Sequence, residues 1–256
     1  MPYLVHTAHA QFVGLWVGAI GWILTMVAIG LVQWRIWVVS DLTFINSGQA
    51  WVGIWRTCFY THVLVTSEYE VMYCQKIHLS DTFTPSEIAA AQPMMLLALI
   101  LGLFGNSTVI YGLRNIYFGL DKQKPITLAF SIGGGLLILA GVSSFIPLFW
   151  NLNSVATNQT IDFPTNFYMP PAPVDQYVGP GIAIGIFASI LVVVSGMVFL
   201  SYKFPEGLRT KAEPSCLEEG HSELGENGMT LSLRSTPTGN QETKSCYGVD
   251  NLAFQS

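Results

Sequence analysis

The segment from Trp34 to Cys74 decides the fold, and it reads WRIWVVSDLTFINSGQAWVGIWRTCFYTHVLVTSEYEVMYC. It holds four of the seven tryptophans of the chain and the only two cysteines outside the C-terminal region. It also connects two apolar segments that are long enough to cross a membrane. The segment therefore predicts a small folded layer that is carried by a membrane-embedded bundle.

The composition of the whole chain is that of an integral membrane protein. Of its 256 residues, 51% are hydrophobic and 11% are charged, whereas soluble domains carry about 25% charged residues. The mean hydropathy is +0.46. The formal net charge of −5 and the lack of a Lys/Arg cluster exclude a basic nucleic-acid-binding protein.

Four apolar segments meet the requirement of about 20 residues for a membrane-spanning helix. They cover 12–32, 93–113, 126–150 and 178–202. The first could instead be a cleaved signal peptide, but it lacks a basic flank and is too long, so we expect a retained helix. None of the four contains Asp, Glu, Lys or Arg. This argues against a transporter, a pump or a pore along the bundle axis, and it places any ion handling outside the bilayer.

Basic residues in the short connections predict the orientation of the bundle in a plasma membrane. The connection 114–125 contains three of them, whereas 151–177 contains no Lys or Arg. Cytoplasmic connections are enriched in Lys and Arg. The termini are therefore expected in the cytoplasm (1–11 and 203–256), and two loops outside the cell (33–92 and 151–177).

A glycosylation sequon agrees with this orientation. Asn158-Gln159-Thr160 is an N-glycosylation acceptor in the second extracellular loop. A second sequon, at Asn106, falls inside a predicted span, where glycosylation cannot reach it. The tail 203–256 is rich in Glu, Ser, Thr, Gly and Pro and is expected to be disordered.

The first loop is expected to form a small antiparallel sheet. Residues 63–73 alternate between two sets of side chains, which is the period of a half-buried strand. Three further segments are candidate strands: 36–39, 42–45 and 49–54.

Cys58 and Cys74 flank the alternating strand and face an oxidising compartment in this orientation. We expect them to pair in a disulfide, which would stabilise the loop by about 3 kcal/mol. The alternative is two free thiols.

A helix start is predicted at the end of the first loop. Thr84-Pro85-Ser86-Glu87 has the pattern of a capping box, with Thr84 as N-cap, Pro85 as the first helical residue and Glu87 as the third. The second span should therefore begin above the bilayer, with a kink or a helix boundary near Pro93.

Small residues in the spans permit close helix approach, either within the bundle or between copies of the chain. They occur in three of the spans: Gly14, Gly18 and Gly21; Gly133 to Gly135 and Gly141; Gly181 and Gly185.

These motifs together resemble the claudin family. Trp34, the triplet Gly53-Ile54-Trp55, Cys58 and Cys74, in a large first loop of a four-span chain, are similar to the signature W…GLW…C…C of claudins and their wider superfamily, with Ile54 in place of the usual leucine. Three further matches support the resemblance: PSEIAAAQPMM at 85–95, NFYMP at 166–170, and the glycines Gly179 and Gly185.

The resemblance implies a four-helix membrane bundle that carries an extracellular sheet of about five strands. Claudins polymerise with themselves or with other claudins, side by side and across facing cells, and they seal the paracellular space or form charge-selective pores in it. The chain is thus expected to be a tight-junction-type adhesion protein of the lipid bilayer, with no cofactor and no nucleic-acid partner.

The resemblance also suggests roles for particular residues. Trp34 and Gly53-Ile54-Trp55 would anchor the sheet at the membrane surface. Phe167 and Tyr168 would either contact a facing cell or pack the second loop on the first. Glu68 and Glu70 would give a pore a weak preference for cations, or would form a solvated strand face.

Some features depart from the family pattern. The spacing of Cys58 and Cys74 is longer than usual, the second loop carries an insertion that holds Asn158, and Gln92 stands where an arginine is expected. The sequence ends Ala253-Phe254-Gln255-Ser256, and a serine offers no apolar side chain to a PDZ pocket. We therefore expect no PDZ scaffold to bind there.

Two other classes of function compete with junction formation. Related four-span proteins act as auxiliary subunits of a channel or receptor, and this is the alternative prediction. An enzyme is not expected, because no nucleophile–base pair or metal cluster is recognisable. The histidines of the first loop, His62 and His78, are interpreted as ordinary loop residues. No catalytic and no metal-binding residues are predicted.

Overall fold

The structure is a computed structural model, and it describes residues 9–40, 42–61, 71–118 and 123–202. All of these residues fall within one unit of the chain, Met1–Ala212. The predicted tail 203–256 and the N-terminal residues 1–8 lie outside the described residues.

Among the described residues, four helices are long and apolar enough to cross a membrane. They are α1 (His9–Gly30), α2 (Ser86–Tyr117), α3 (Gln123–Ala156) and α4 (Pro180–Leu200). The prediction of a four-helix bundle is confirmed. The two central helices are longer than the spans predicted at 93–113 and 126–150. The helix α2 has 32 residues and α3 has 34. At 1.5 Å per residue each is about 50 Å long, which exceeds the hydrocarbon thickness of about 30 Å.

The start of α2 was predicted at the right place but with the wrong capping chemistry. The helix begins at Ser86, and Pro85, not Thr84, is the N-cap, with extended backbone and no side-chain cap. The Thr84 hydroxyl donates instead to the His78 carbonyl, and the Glu87 carboxylate points into the protein. The helix continues through Pro93, so of the two alternatives predicted there, a kink or a helix boundary, the boundary is wrong.

Five strands form one antiparallel sheet in the order β4-β3-β2-β1-β5. They lie at the end of the bundle where α1 ends and α4 begins, which we call the sheet side. The strands are β1 (Arg35–Val38), β2 (Gln49–Val52), β3 (Arg56–Thr61), β4 (Val71–Lys76) and β5 (Asp175–Val178).

The strand predictions were correct for β1 and β2 and in part for β4. β1 and β2 match 36–39 and 49–54 within a few residues, whereas 42–45 forms a turn. The strand predicted at 63–73 overlaps β4 in its last three residues and otherwise lies outside the described residues. β3 was not predicted because its burial does not alternate along the strand.

The glycines of the spans serve mainly packing within the bundle. A Cβ on Gly18 would lie 2.5 Å from the Ser195 hydroxyl of α4, and one on Gly133 would lie 2.6 Å from Val109 of α2. Gly135 differs, since no atom lies within 4 Å of a Cβ there. Of the two predicted roles, close packing inside the bundle therefore accounts for Gly18 and Gly133.

The apolar core has two parts. One lies between the sheet and the helix ends and includes Trp34, Trp37, Phe59 and Met95. The other fills the opposite part of the bundle around Phe130. The sheet is therefore not a separate layer, because its inner face shares a core with the helices.

Candidate functional site

The site predicted from the sequence is the sheet with the motif that attaches it to the bundle. Trp34 lies at the connection from α1 to β1 and is 1% exposed. Its indole N–H donates to the Ala28 carbonyl at 2.8 Å. A Cβ on Gly181, in the first turn of α4, would lie 2.6 Å from the indole ring. Trp34 therefore joins the end of α1 to the start of α4.

The triplet Gly53-Ile54-Trp55 makes the turn between β2 and β3. The Gly53 N–H donates to the Arg56 carbonyl at 3.0 Å. A Cβ on Gly53 would lie 3.0 Å from the backbone of Val32, so glycine permits the turn to approach the chain just after α1. Ile54 is fully buried and Trp55 is half-buried. Through this motif the β2–β3 turn packs closely against the bundle.

Gln92 stands where the family pattern has an arginine, and its side chain makes two hydrogen bonds there. Its side chain is buried, and its amide nitrogen donates to the carbonyls of Ile54 at 2.6 Å and Ile77 at 3.2 Å. Gln92 thus ties α2 to the β2–β3 turn and to the end of β4. An uncharged amide makes these bonds without bringing a positive charge into the core.

A buried ionic network is the main element that the sequence analysis missed. The Arg35 guanidinium donates from one nitrogen to Glu87 at 2.9 Å and to Asn151 at 2.8 Å. Ser154 donates to the same Glu87 oxygen at 2.6 Å, and the Asn151 amide donates to the Glu87 carbonyl. All four residues are buried. The network connects β1, α2 and α3.

The ionic state of the network follows from its surroundings. Burial lowers the pKa of Arg35, while the hydrogen bond and the charge of Glu87 oppose that shift. A guanidinium does not lose its proton in proteins. Two further nitrogens of Arg35 are buried and have no hydrogen-bond partner among the described residues. Because both groups are buried, removing either one leaves the other as an unpaired buried charge, which lowers the stability of the fold.

The hairpin of β3 and β4 is closed by a disulfide. Cys58 and Cys74 lie directly opposite each other in the strand register, and their sulfurs are bonded. The predicted pairing is confirmed. The residues joining these strands, including Glu68, Glu70 and His62, lie outside the described residues.

The structure separates the two residues predicted to contact a facing cell. Phe167 is 5% exposed and packs against Phe83 and Phe163, which agrees with the alternative that it packs the second loop. Tyr168 is 37% exposed, and its ring contacts Phe44 and Tyr73. Only Tyr168 is available at the surface.

The remaining predicted positions lie at the sheet side. Asn158 follows the end of α3, is exposed and has a φ of 53°. The His78 ring lies 3.6 Å from the Asp81 carboxylate. Within the described ranges, no three His, Cys, Asp or Glu side chains are grouped so that they could hold a metal ion.

Comparison with known proteins decides the family. The family described as PMP-22/EMP/MP20/Claudin tight junction matches residues 19–201, which include all four helices at least in part and the whole sheet. The chain belongs to the claudin family. Members of this family are structural junction proteins and not enzymes, so the prediction of a non-enzymatic, tight-junction-type, multi-pass membrane protein is confirmed at this level.

Individual claudins are similar to this chain over most of its length. Claudin-2 of Mus musculus is 25% identical over 236 residues, which is 91% of both chains. Claudin-3 of Homo sapiens is 25% identical over 73% of this chain and 78% of its own length. Claudin-5 of Mus musculus is 26% identical over 74% of this chain and 81% of its own.

We predict that Arg35→Met destabilises the fold by about 3–5 kcal/mol, because Glu87 is then left buried without its cation. The unfolding temperature in detergent, measured by circular dichroism, should fall by roughly 10 °C. Arg114→Met, at an exposed arginine near the end of α2, is the matched control and should change it little. The double variant Arg35→Met/Glu87→Gln should recover part of the loss. Equal unfolding temperatures for the two single variants would contradict this role.

Proposed function

We propose that this chain is an adhesive tight-junction claudin that polymerises with itself or other claudins in one membrane and meets claudins of a facing cell. In this proposal the sheet side is extracellular and both termini are cytoplasmic. The assembled sheets would seal the paracellular space or form a charge-selective pore in it. The observation that carries the proposal is the exposed apolar surface around Tyr168.

This surface is an apolar groove of about 400 Å³ between the two sheet-side loops. Phe44 and Ile45 of the first loop line one side, and Tyr168, Met169 and Pro170 of the second loop line the other. Exposed apolar grooves mark sites of association. The groove therefore suits an apolar side chain from another claudin.

The conformation of Tyr168 supports a functional role. Its φ is 53°, in the left-handed region that bulky residues rarely adopt. Such residues persist only where surrounding contacts hold them, and they concentrate at binding sites. The contacts of the Tyr168 ring with Phe44 and Tyr73 hold it at the rim of the groove.

Ion selectivity, in this proposal, arises on the sheet side and not in the bundle. The predicted spans contain no Asp, Glu, Lys or Arg, which argues against an ion path along the helices. Glu68 and Glu70 belong to the connection between β3 and β4, and two carboxylates near a pore would favour cations.

The orientation is tested by glycosylation of Asn158. If the sheet side is extracellular, the exposed Asn158 meets the glycosylation machinery during synthesis. Treatment of the protein from mammalian cells with an N-glycosidase should then increase its electrophoretic mobility. Asn158→Gln should abolish this change, whereas Asn106→Gln should preserve it. A glycosidase-sensitive band that persists in Asn158→Gln would count against the assignment.

Strand formation is tested by freeze-fracture microscopy of fibroblasts that express only this chain. The wild type should form intramembrane strands at cell contacts, and Tyr168→Ser should reduce them severalfold because the groove loses its apolar rim. Tyr177→Ser removes a tyrosine of β5 that is more exposed than Tyr168 and lies outside the groove, and it should leave the strands intact. A wild type without strands that co-purifies with a channel would instead identify an auxiliary subunit.

Selectivity is tested by dilution potentials across epithelial monolayers. Glu68→Gln/Glu70→Gln should shift the ratio of sodium to chloride permeability toward that of free solution, because the field favouring cations is lost. Asp162→Asn removes an exposed carboxylate of the second loop and serves as the control. An unchanged ratio in the double variant would refute the role of these glutamates.

A further inference from the structure

A second groove, distinct from the one beside Tyr168, lies where the sheet meets the bundle. Its volume is about 620 Å³. Arg56 and Lys76 line it from the sheet, Trp55 from the β2–β3 turn, and Gly30, Pro93 and Leu96 from the ends of α1 and α2. Charged groups therefore stand above an apolar floor.

The two cations of this groove lie opposite each other in the pairing of β3 and β4. Arg56 and Lys76 are directly opposite in the β3–β4 register, and both are exposed. In the part of the chain that the structure describes, neither forms an ion pair. Like charges directly opposite in a sheet are destabilising. An anion bound between them would relieve this repulsion.

The floor of the groove continues onto the membrane-facing surface of the helices. Pro93 and Leu96 are three residues apart on one face of α2, and both are exposed. The space beside Gly30 is open, since no atom lies within 4 Å of a Cβ placed there. The Gln92 amide nitrogen is engaged by two carbonyls. The lower half of the groove therefore suits a hydrocarbon chain.

The geometry points to a binding site for one phospholipid molecule. Its phosphate would lie between Arg56 and Lys76, and one acyl chain would follow Pro93 and Leu96. The lining selects this occupant, because a phospholipid joins an anionic phosphate to hydrocarbon chains and the groove joins two cations to an apolar floor. This site is independent of the adhesive groove and of strand formation.

Native mass spectrometry of the complete chain in detergent tests the site, with dioleoylphosphatidylglycerol as the probe. The wild type should bind one molecule, and Arg56→Gln/Lys76→Gln should weaken its affinity roughly 30-fold, as expected for loss of two basic groups near an anionic headgroup. Dioleoylglycerol, which lacks the phosphate, should bind the wild type and the double variant equally weakly. Inorganic phosphate should not compete at millimolar concentration, which separates a lipid headgroup from a free anion.

Two further variants keep the test decisive. Arg56→Lys/Lys76→Arg changes the same two side chains but retains both charges, and it should retain binding. A loss of binding in the glutamine variant alone is then due to the lost charges. Arg114→Gln, at an exposed arginine near the end of α2, should bind as the wild type does. Equal affinity in the wild type and the glutamine variant would overturn the site. If the wild type forms dimers that the glutamine variant loses while its lipid binding is unchanged, the groove binds a second copy of the chain and the lipid site is overturned.

Discussion

The buried contact of Arg35 with Glu87 is the interaction on which the position of the sheet depends. Arg35 begins β1, the strand that pairs with both β2 and β5, and Glu87 lies in the first turn of α2. Asn151 of α3 completes the site. Removing charges from water costs free energy that only good geometry offsets. A shift of the sheet would break these bonds and leave buried charges unpaired, so the pair orients the sheet on two helices.

Close backbone contacts complete the attachment on the other two helices. Trp34 occupies the space left by Gly181 at the start of α4, and Gly53 lets the β2–β3 turn approach the chain just after α1. These are contacts that a single added carbon would disrupt, because protein interiors have no free volume to absorb it. The disulfide acts within the sheet only, since it closes the hairpin of β3 and β4. The sheet is thus held by an ion pair, by packing and by a covalent bond at different places.

This attachment gives the two sheet-side grooves a rigid base. The groove beside Tyr168 combines residues from both loops, and the groove beneath Arg56 and Lys76 combines sheet and helices. Each exists only because elements far apart in the chain are fixed against one another. The first is apolar and suits contact with another claudin, and the second pairs cations with an apolar floor and suits a lipid. In the proposed function, a sheet anchored in this way binds neighbours in the membrane plane while its outer loops contact claudins of a facing cell.

The sequence by itself determined the features that depend on local pattern. Apolar runs identified the four helices, the two cysteines identified the disulfide, and Trp34 with Gly53-Ile54-Trp55 identified the family. Their signals are composition and spacing, which neighbouring residues carry. The helix start at Ser86 was also predictable, but its cap was not, because Glu87 bonds a residue 52 positions away and not its own backbone.

Only the tertiary structure decided the contacts between distant segments. The strand β5 consists of residues of the second loop, and it is a strand because these residues pair with β1 of the first loop. Gln92 looked like the loss of an arginine, yet it bonds two loop carbonyls. Phe167 and Tyr168 are adjacent in sequence and equally aromatic, but one is buried and the other is exposed. The physical reason is the same in each case: burial and pairing are properties of the partner surface, and the partner is supplied by another part of the chain.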